Sequence, residues 1–199
     1  DIYGLIELGE VEISTRVIRA GKTIELLETT MKGKGKILVV AQTWRMQTSD
    51  TSAIAGLEDL KVESPESLPI YDEIHQWNGG YIASIEARAK NIGKGHGVVW
   101  LRTQTQMVEG QVTSPFVQLV SMSDTANGVV PRQDRPLQWG FPNLDLQIHL
   151  HRLPQGEWLG IEAVQQYGSD GIGLTSAILH DTQGPFGRSE QILTLRPMP

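Results

Sequence analysis

Residues 114–128 read SPFVQLVSMSDTANG, and the prediction of the fold starts from this segment. Ser114 is a favoured N-cap residue, Pro115 suits the first helical position, and Gly128 can close the C-terminus. Between them the residues leave almost no polar face, which predicts a buried helix with these apolar members: Phe116, Val117, Leu119, Val120 and Met122. Asp124 stands in the last turn, where burial of an unpartnered carboxylate is costly. The remaining sequence should therefore supply partners for Asp124.

Strands are predicted on both sides of this helix. The segment NLDLQIHLHR (143–152) alternates apolar and polar residues with the period of a half-buried strand. The same reasoning predicts five more strands, which are YIASIEARAK (81–90) and GHGVVWLRTQTQ (95–106) before the helix and about 158–168, 171–181 and 188–196 after it. The second part of the chain is therefore predicted to be strand, strand, helix and four strands, an α+β arrangement.

The first part of the chain repeats the end of this pattern. VEISTRVIRAG (11–21) aligns with WLGIEAVQQYG (158–168), and two strands joined by a Gly-rich turn follow in both parts. Gln42 and Gln191 then take matching places, each seven residues after a turn glycine (Gly35 and Gly184). This alignment predicts an internal duplication whose first copy is incomplete.

The duplication suggests a division of the chain. We assign residues 1–47 to the C-terminal part of the first copy, 48–80 to a linker, and 81–199 to a complete second copy. The linker is acidic and contains two prolines, which favours little regular structure. We expect the natural chain to carry a further N-terminal segment with the strands and helix that the first copy lacks.

Composition excludes several classes of protein. The net charge is −6 and the 17 Lys and Arg residues are scattered singly, which argues against nucleic-acid binding. The chain has no cysteine, so disulfides, thiolate nucleophiles and Cys-based zinc sites are excluded. The sequence has no apolar run of about 18 residues, as a membrane helix would require. We expect no membrane span and a cytoplasmic location.

Four segments together resemble a known family. They are VVWLRTQ, SPFVQLVSMSDTANG, NLDLQIHLHRLPQGEWLGIEA and GIGLTSAILHDTQGPFGRSEQILTLRP, and they extend over the whole predicted second copy. Their order and spacing resemble the acyl-CoA thioesterase II-like family of double-hotdog proteins. The first copy resembles the family more loosely, through VIRAGKTIELLETTMKGKGKILVVAQTWRM. The resemblance implies a tandem hotdog fold, in which an antiparallel sheet wraps around a central helix.

The resemblance also implies an activity and a site. Members hydrolyse acyl-CoA to free acid and CoA, using an Asp near the end of the helix, a Thr or Ser opening the next strand, and a Gln in the last strand. The matching positions here are Asp124, Asn143 and Gln191. Asn143 departs from the usual hydroxyl, although an amide can also hold a water or a carboxylate. The family implies an acyl-CoA substrate and a homodimer, and calls for no cofactor and no metal.

The chemistry suits these residue types. A thioester releases a thiol with a pKa of about 8.5 by analogy with cysteine, so a strong general acid is dispensable. One carboxylate that deprotonates water, assisted by neutral hydrogen-bond donors, can therefore suffice. The sequence has no G-x-S-x-G motif and no cysteine, which leaves no competing nucleophile of those types.

Other interpretations stay open at this point. Asp124 could simply face solvent at the end of the helix, and Gln191 could be a structural polar residue. His149 and His151 with Asp145 have a spacing that could bind a metal, although a solvated strand face explains them as well. The segments KGKGK (32–36) and GKGHG (93–97) could be phosphate cradles, but neither opens a helix, so hairpin turns are favoured.

Two further functions remain as alternatives. The first is a non-catalytic acyl-CoA-binding or scaffold protein that keeps the fold and has lost the chemistry through Asn143. The second is a hotdog hydratase acting on enoyl-CoA, which is weakened because the stretch with Asp124 supplies no following His.

Overall fold

The computed structural model describes residues 1–198, and the chain divides into two units, Asp1–Leu57 and Glu58–Pro199. The first unit contains three antiparallel strands in the order β1-β2-β3, followed by a 3-10 turn at Ser52–Ile54. The strands are β1 (Glu12–Arg19), β2 (Ile24–Gly33) and β3 (Lys36–Met46). They follow the alternation predicted from the sequence, and the KGKGK segment forms the β2–β3 hairpin turn.

The second unit is built on a six-stranded antiparallel sheet with the order β4-β5-β8-β9-β10-β7. Its strands are β4 (Ile85–Ala89), β5 (His96–Thr103), β6 (Trp139–Gly140), β7 (Gln147–Leu150), β8 (Leu159–Tyr167), β9 (Ile172–Asp181), β10 (Gly184–Thr194) and β11 (Arg196–Pro197). The short strands β6 and β11 pair only with each other. Apart from the two-residue strands β6 and β11, this arrangement confirms the predicted order of strand, strand, helix and four strands.

Short helices connect these strands. They are α1 (Gly80–Ala83), α2 (Pro115–Ser121) and α3 (Ala126–Val129), with 3-10 turns at Pro65–Ser67, Asp72–Gln76 and Ser123–Thr125. We call residues 115–129, from the start of α2 to the end of α3, the central helical segment. Within residues 1–198, no helix combines the length and apolar character needed to cross a membrane.

The core of the second unit lies between the sheet and the central helical segment. Leu119, Met122 and Ala126 recur at the spacing of one helical face, and each is no more than 1% exposed. They pack against alternate residues of the strands, which point to the same face of the sheet. The main apolar strand members of this cluster are Ile85, Ala87, Val99, Leu101, Leu159, Ile161, Ala163, Ala177 and Leu179.

A second, smaller apolar cluster covers the other face of the sheet. It contains Leu68, Trp100 and Trp158, and the indole Nε1 of Trp100 donates to the backbone oxygen of Glu63 at 2.8 Å. Residues from Glu58 onward therefore belong to the second unit, although they fall within the predicted linker 48–80. The boundaries 1–47, 48–80 and 81–199 stay a prediction.

The two long hairpins show the same irregularity, which corrects the alignment of Gln42 with Gln191. In β2–β3 the register shifts at Leu38, and in β9–β10 it shifts at Phe186, each the third residue of its strand. When the two copies are aligned on these bulges, the residue that corresponds to Gln191 is Thr43 and not Gln42. The prediction was wrong by one residue because the turn glycines take different places in the two turns. A one-residue shift puts a side chain on the opposite face of the sheet.

Further boundary predictions were wrong. The strand predicted at about 188–196 runs from Gly184 to Thr194, because the turn before it takes only residues 182–183, and the strand predicted at 95–106 ends at Thr103. The strand predicted at 143–152 is limited to Gln147–Leu150, with an isolated bridge at Asn143, because only β10 flanks it. The strand predicted from residue 81 begins at Ile85, after α1. Gly128 lies inside α3 and does not end the helix.

Candidate functional site

The central helical segment delivers Asp124 to the surface of the second unit. Ser114 caps it as predicted, because its hydroxyl accepts from the backbone N–H of Val117 at 3.3 Å. The prediction of one helix, nearly all of it buried, was wrong in part, since Phe116 is 40% exposed and a 3-10 turn interrupts the segment. Asp124 is exposed because it lies about half a helical turn from the buried stripe of Met122 and its neighbours.

Asn143 and Gln191 reach Asp124 from the sheet. Asn143 follows Pro142 and forms an isolated bridge with Leu193, which holds its backbone beside β10. Gln191 lies on the inner face of β10 and is 0% exposed. The strand alternation places it there, between the buried residues Ser189 and Leu193.

These three residues converge on one carboxylate oxygen. Asn143 Nδ2 donates to Asp124 Oδ1 at 2.8 Å, and Gln191 Nε2 donates to the same oxygen at 2.9 Å. Gln191 Nε2 also donates to the backbone oxygen of Asp124 at 3.2 Å. Within residues 1–198, Asp124 Oδ2 accepts no hydrogen bond. The carboxylate is therefore held at one oxygen and open at the other.

A second acceptor is available beside the carboxylate. Gln191 Oε1 is buried and has no hydrogen-bond partner among the described residues 1–198. An unpaired buried oxygen costs free energy unless a donor reaches it. Because the Asp124 side chain is exposed, its Oδ2 can accept a hydrogen bond from a water.

Two residues at this site were missed by the sequence reasoning. Asn127 Nδ2 donates to Asn143 Oδ1 at 3.2 Å, and the backbone oxygen of Asp145 accepts from Asn143 Nδ2 at 3.0 Å. Asp145 Oδ1 also accepts from the backbone N–H of Ile192 at 2.9 Å. The position of Asn127, three residues after Asp124, is a signal that could have indicated it, because residues so spaced lie on neighbouring parts of a helical surface.

Tyr81 lies on the other side of the same turn. Its hydroxyl forms a 2.7 Å hydrogen bond with Thr125 Oγ1. Partial burial raises the pKa of Tyr81, the bond to Thr125 lowers it, and the Asp124 carboxylate raises it, with a net increase above the ordinary value. The phenol is therefore neutral at physiological pH and can donate or accept a hydrogen bond.

A cavity of about 370 Å³ lies beside the end of the central helical segment. Gly128 and Val129 contribute to its wall, and so do Trp77 and Arg135, whose guanidinium lies 4.9 Å from the Trp77 ring centroid. The lining includes none of the three predicted site residues. Asp124 therefore opens toward the surface and not into this cavity.

The alternative metal site at Asp145, His149 and His151 does not form a cluster of ligands among the described residues. Among residues 1–198, no group of three His, Cys, Asp or Glu side chains could hold a metal ion. His149 is exposed on β7, and His151 Nε2 lies 3.2 Å from the backbone oxygen of Pro185. The polar face of an edge strand accounts for His149, and the contact with the Pro185 backbone accounts for His151.

Comparisons with solved structures identify the fold. An acyl-CoA thioesterase II, TesB2, from Mycobacterium marinum is 16% identical with a TM-score of 0.66, over 97% of this chain and 78% of that one. A tesB protein of Mycobacterium avium subspecies paratuberculosis is 15% identical with a TM-score of 0.68, over 94% and 72%. A hot dog fold protein of unknown function from Alicyclobacillus acidocaldarius is 14% identical with a TM-score of 0.73, over 94% and 72%.

These likenesses confirm the predicted α+β hotdog architecture. At such low identity they establish the fold alone. No curated protein shows significant sequence similarity to the chain. The family model described as acyl-CoA thioesterase C-terminal domain matches residues 63–195, which is more than half of the chain. The chain therefore belongs to the acyl-CoA thioesterase C-terminal domain family.

Proposed function

We propose that this chain hydrolyses acyl-CoA thioesters to a free carboxylic acid and CoA, with Asp124 as the general base. The observation that carries the proposal is the pair of amide N–H bonds, at 2.8 and 2.9 Å, on Asp124 Oδ1. They hold one oxygen and leave the other free to accept a proton. Family membership gives the reaction class, and the acyl-CoA substrate and the roles of these residues belong to the proposal.

The reaction balances with the groups present. A water donates a hydrogen bond to Asp124 Oδ2, and its oxygen attacks the thioester carbonyl carbon. Asp124 takes a proton as the C–O bond forms. The C–S bond then breaks, and the thiolate leaves and recovers the proton from Asp124. Because a thiol has a pKa of about 8.5, this departure needs no strong acid.

The first test is release of free thiol from a series of C2 to C18 acyl-CoAs. Turnover of at least one member is expected. Tight acyl-CoA binding without product would identify a binding protein, and loss of the enoyl-thioester absorbance band would identify a hydratase. Either result without hydrolysis would contradict the proposal.

The second test replaces the base. Asp124→Asn keeps the size of the side chain but removes the proton acceptor, so kcat should fall on the order of 100-fold or more. Asp134→Asn is the matched control, because that carboxylate pairs with Lys94 at 2.6 Å and touches none of the three residues. The control should keep the native rate. An undiminished rate in Asp124→Asn would place catalysis elsewhere.

A further inference from the structure

Both the NH₂ group and the oxygen of the Asn143 side-chain amide form hydrogen bonds. Its Nδ2 donates to Asp124 Oδ1 at 2.8 Å and to the Asp145 backbone oxygen at 3.0 Å. Its Oδ1 accepts from Asn127 Nδ2 at 3.2 Å. A side-chain amide has two donor hydrogens and one acceptor oxygen, and here each is used.

The bond from Asn127 matters because the Asp124 end is open to solvent. Asp124 is exposed and Asn143 is half-buried, so water competes for the bond between them. An asparagine side chain can also rotate, which would turn its oxygen toward the carboxylate and oppose two acceptors. The donor on Asn127 favours the orientation in which the NH₂ group faces Asp124.

Asn127 is itself anchored to the sheet. Its backbone oxygen accepts from Gln165 Nε2 at 2.7 Å, and Gln165 Oε1 accepts from the backbone N–H of Arg132 at 3.0 Å. Gln165 is 0% exposed and lies on the inner face of β8. A fully buried amide with these partners ties the end of the central helical segment to a central strand, so Asn127 projects from a fixed backbone.

We propose that Asn127 is a positioning residue that holds the Asn143 amide with its NH₂ group on Asp124. The inference rests on the proposed function for its effect on catalysis. It also accounts for an amide at a position where the family resemblance implies a hydroxyl. A threonine hydroxyl can donate and accept through a single oxygen, whereas an asparagine amide must be turned so that its NH₂ group, and not its oxygen, faces Asp124.

A double-mutant cycle tests this role. Asn127→Ala should lower kcat roughly tenfold, within the range measured for coupled neighbours. In an Asn143→Ala background the same change should lower kcat less than twofold, because no side-chain amide is left at position 143 for Asn127 to orient. Gln118→Ala is the matched control, since Gln118 Nε2 donates to the Thr103 backbone oxygen on the same helical segment and touches neither residue. It should leave kcat unchanged in both backgrounds.

A second substitution at position 127, Asn127→Asp, gives an independent test through its effect on kcat. Asn127→Asp supplies only acceptors, which oppose Asn143 Oδ1 and attract its NH₂ group away from Asp124. It should therefore lower kcat more than Asn127→Ala does, although it is closer to the native size. A purely structural role predicts the reverse order. That order, or equal losses of kcat in the two Asn143 backgrounds, would overturn the proposal.

A measurement without substrate separates this inference from the proposed function. The side-chain ¹H–¹⁵N signals of Asn143 should shift, and its amide hydrogens should exchange faster, in Asn127→Ala but not in Gln118→Ala. If the native chain releases no thiol, the proposed function fails while this result still decides the positioning. Unchanged Asn143 signals in Asn127→Ala would overturn the positioning itself.

Discussion

At the scale of single residues, the most completely buried carboxylate of the second unit is not at the candidate site. Asp181 is 0% exposed and accepts from Arg152 Nη1 at 2.5 Å and from Arg152 Nη2 at 2.7 Å. The backbone N–H groups of Gln155 and Gln183 also donate to it. Burial raises the pKa of Asp181, but the Arg152 guanidinium and these backbone donors outweigh it, so the pKa lies below its ordinary value.

Arg152→Met should lower the free energy of unfolding by about 3 kcal/mol at pH 7, because it leaves Asp181 buried without its counter-charge. Denaturant unfolding measures the loss. Arg188→Met is the control, since Arg188 pairs with Asp59 at the surface and its loss should cost under about 1 kcal/mol. Equal losses for the two variants would contradict the expectation.

The pH dependence of the Arg152→Met effect has a definite sign. The folded pKa of Asp181 is depressed, so its ionised form contributes stability above the unfolded carboxylate pKa of about 3.9. That contribution is lost as the pH falls through the lower folded pKa. The difference between native chain and Arg152→Met should therefore shrink below about pH 4, and a difference that grows there would be the contrary result.

At the scale of elements, the central strand β9 was predicted more accurately than the edge strand β7. The prediction of a strand at about 171–181 differs by one residue from β9, which pairs with β8 and β10. The strand β7 is much shorter than predicted and has β10 as its one neighbour in the sheet. Alternation in sequence indicates which residues could form a strand, while the length of the pairing depends on the partner.

The pairing of β7 with β10 depends on Gly187. A Cβ at this position would lie 2.3 Å from the backbone oxygen of His149, which cannot move aside without displacing β7. Gly187→Ala should lower the free energy of unfolding by about 2 kcal/mol, in the range of overpacking. Urea unfolding measures the change. Gly80→Ala is the control, because a Cβ there meets nothing within 4 Å, and it should cost nothing. A neutral Gly187→Ala would contradict the packing argument.

At the scale of the whole molecule, several large apolar side chains of the second unit are exposed. Leu144 is 49% exposed and Ile192 is 38% exposed, each next to a candidate site residue in the sequence. Phe116 and Val117 on the central helical segment are 40% and 42% exposed. Exposed apolar side chains can contribute to a surface that binds a partner. We propose that the partner is a second copy of the chain.

Light scattering tests the proposed homodimer, which should have twice the chain mass of 22.0 kDa. The double substitution Phe116→Asp with Val117→Asp should shift the mass toward one chain, because a buried unpaired charge opposes association. Gln111→Asp is the control, since it adds the same kind of charge at an exposed position that is already polar. A native chain that scatters as a monomer at assay concentration would refute the dimer.

From the sequence alone, we could predict the hotdog architecture, the N-cap at Ser114, and Asp124 with its two partners Asn143 and Gln191. These follow from periodicity, capping chemistry and family motifs, which are local or are carried by the order of segments. Three features became visible in the folded structure alone. Asp124 faces outward, Gln191 corresponds to Thr43 and not to Gln42, and Asn127 donates a hydrogen bond to Asn143. Each of these depends on strand register and on the rotation of a helical segment against a sheet. A shift of one residue changes both the register and the rotation, and neither can be read from the local sequence.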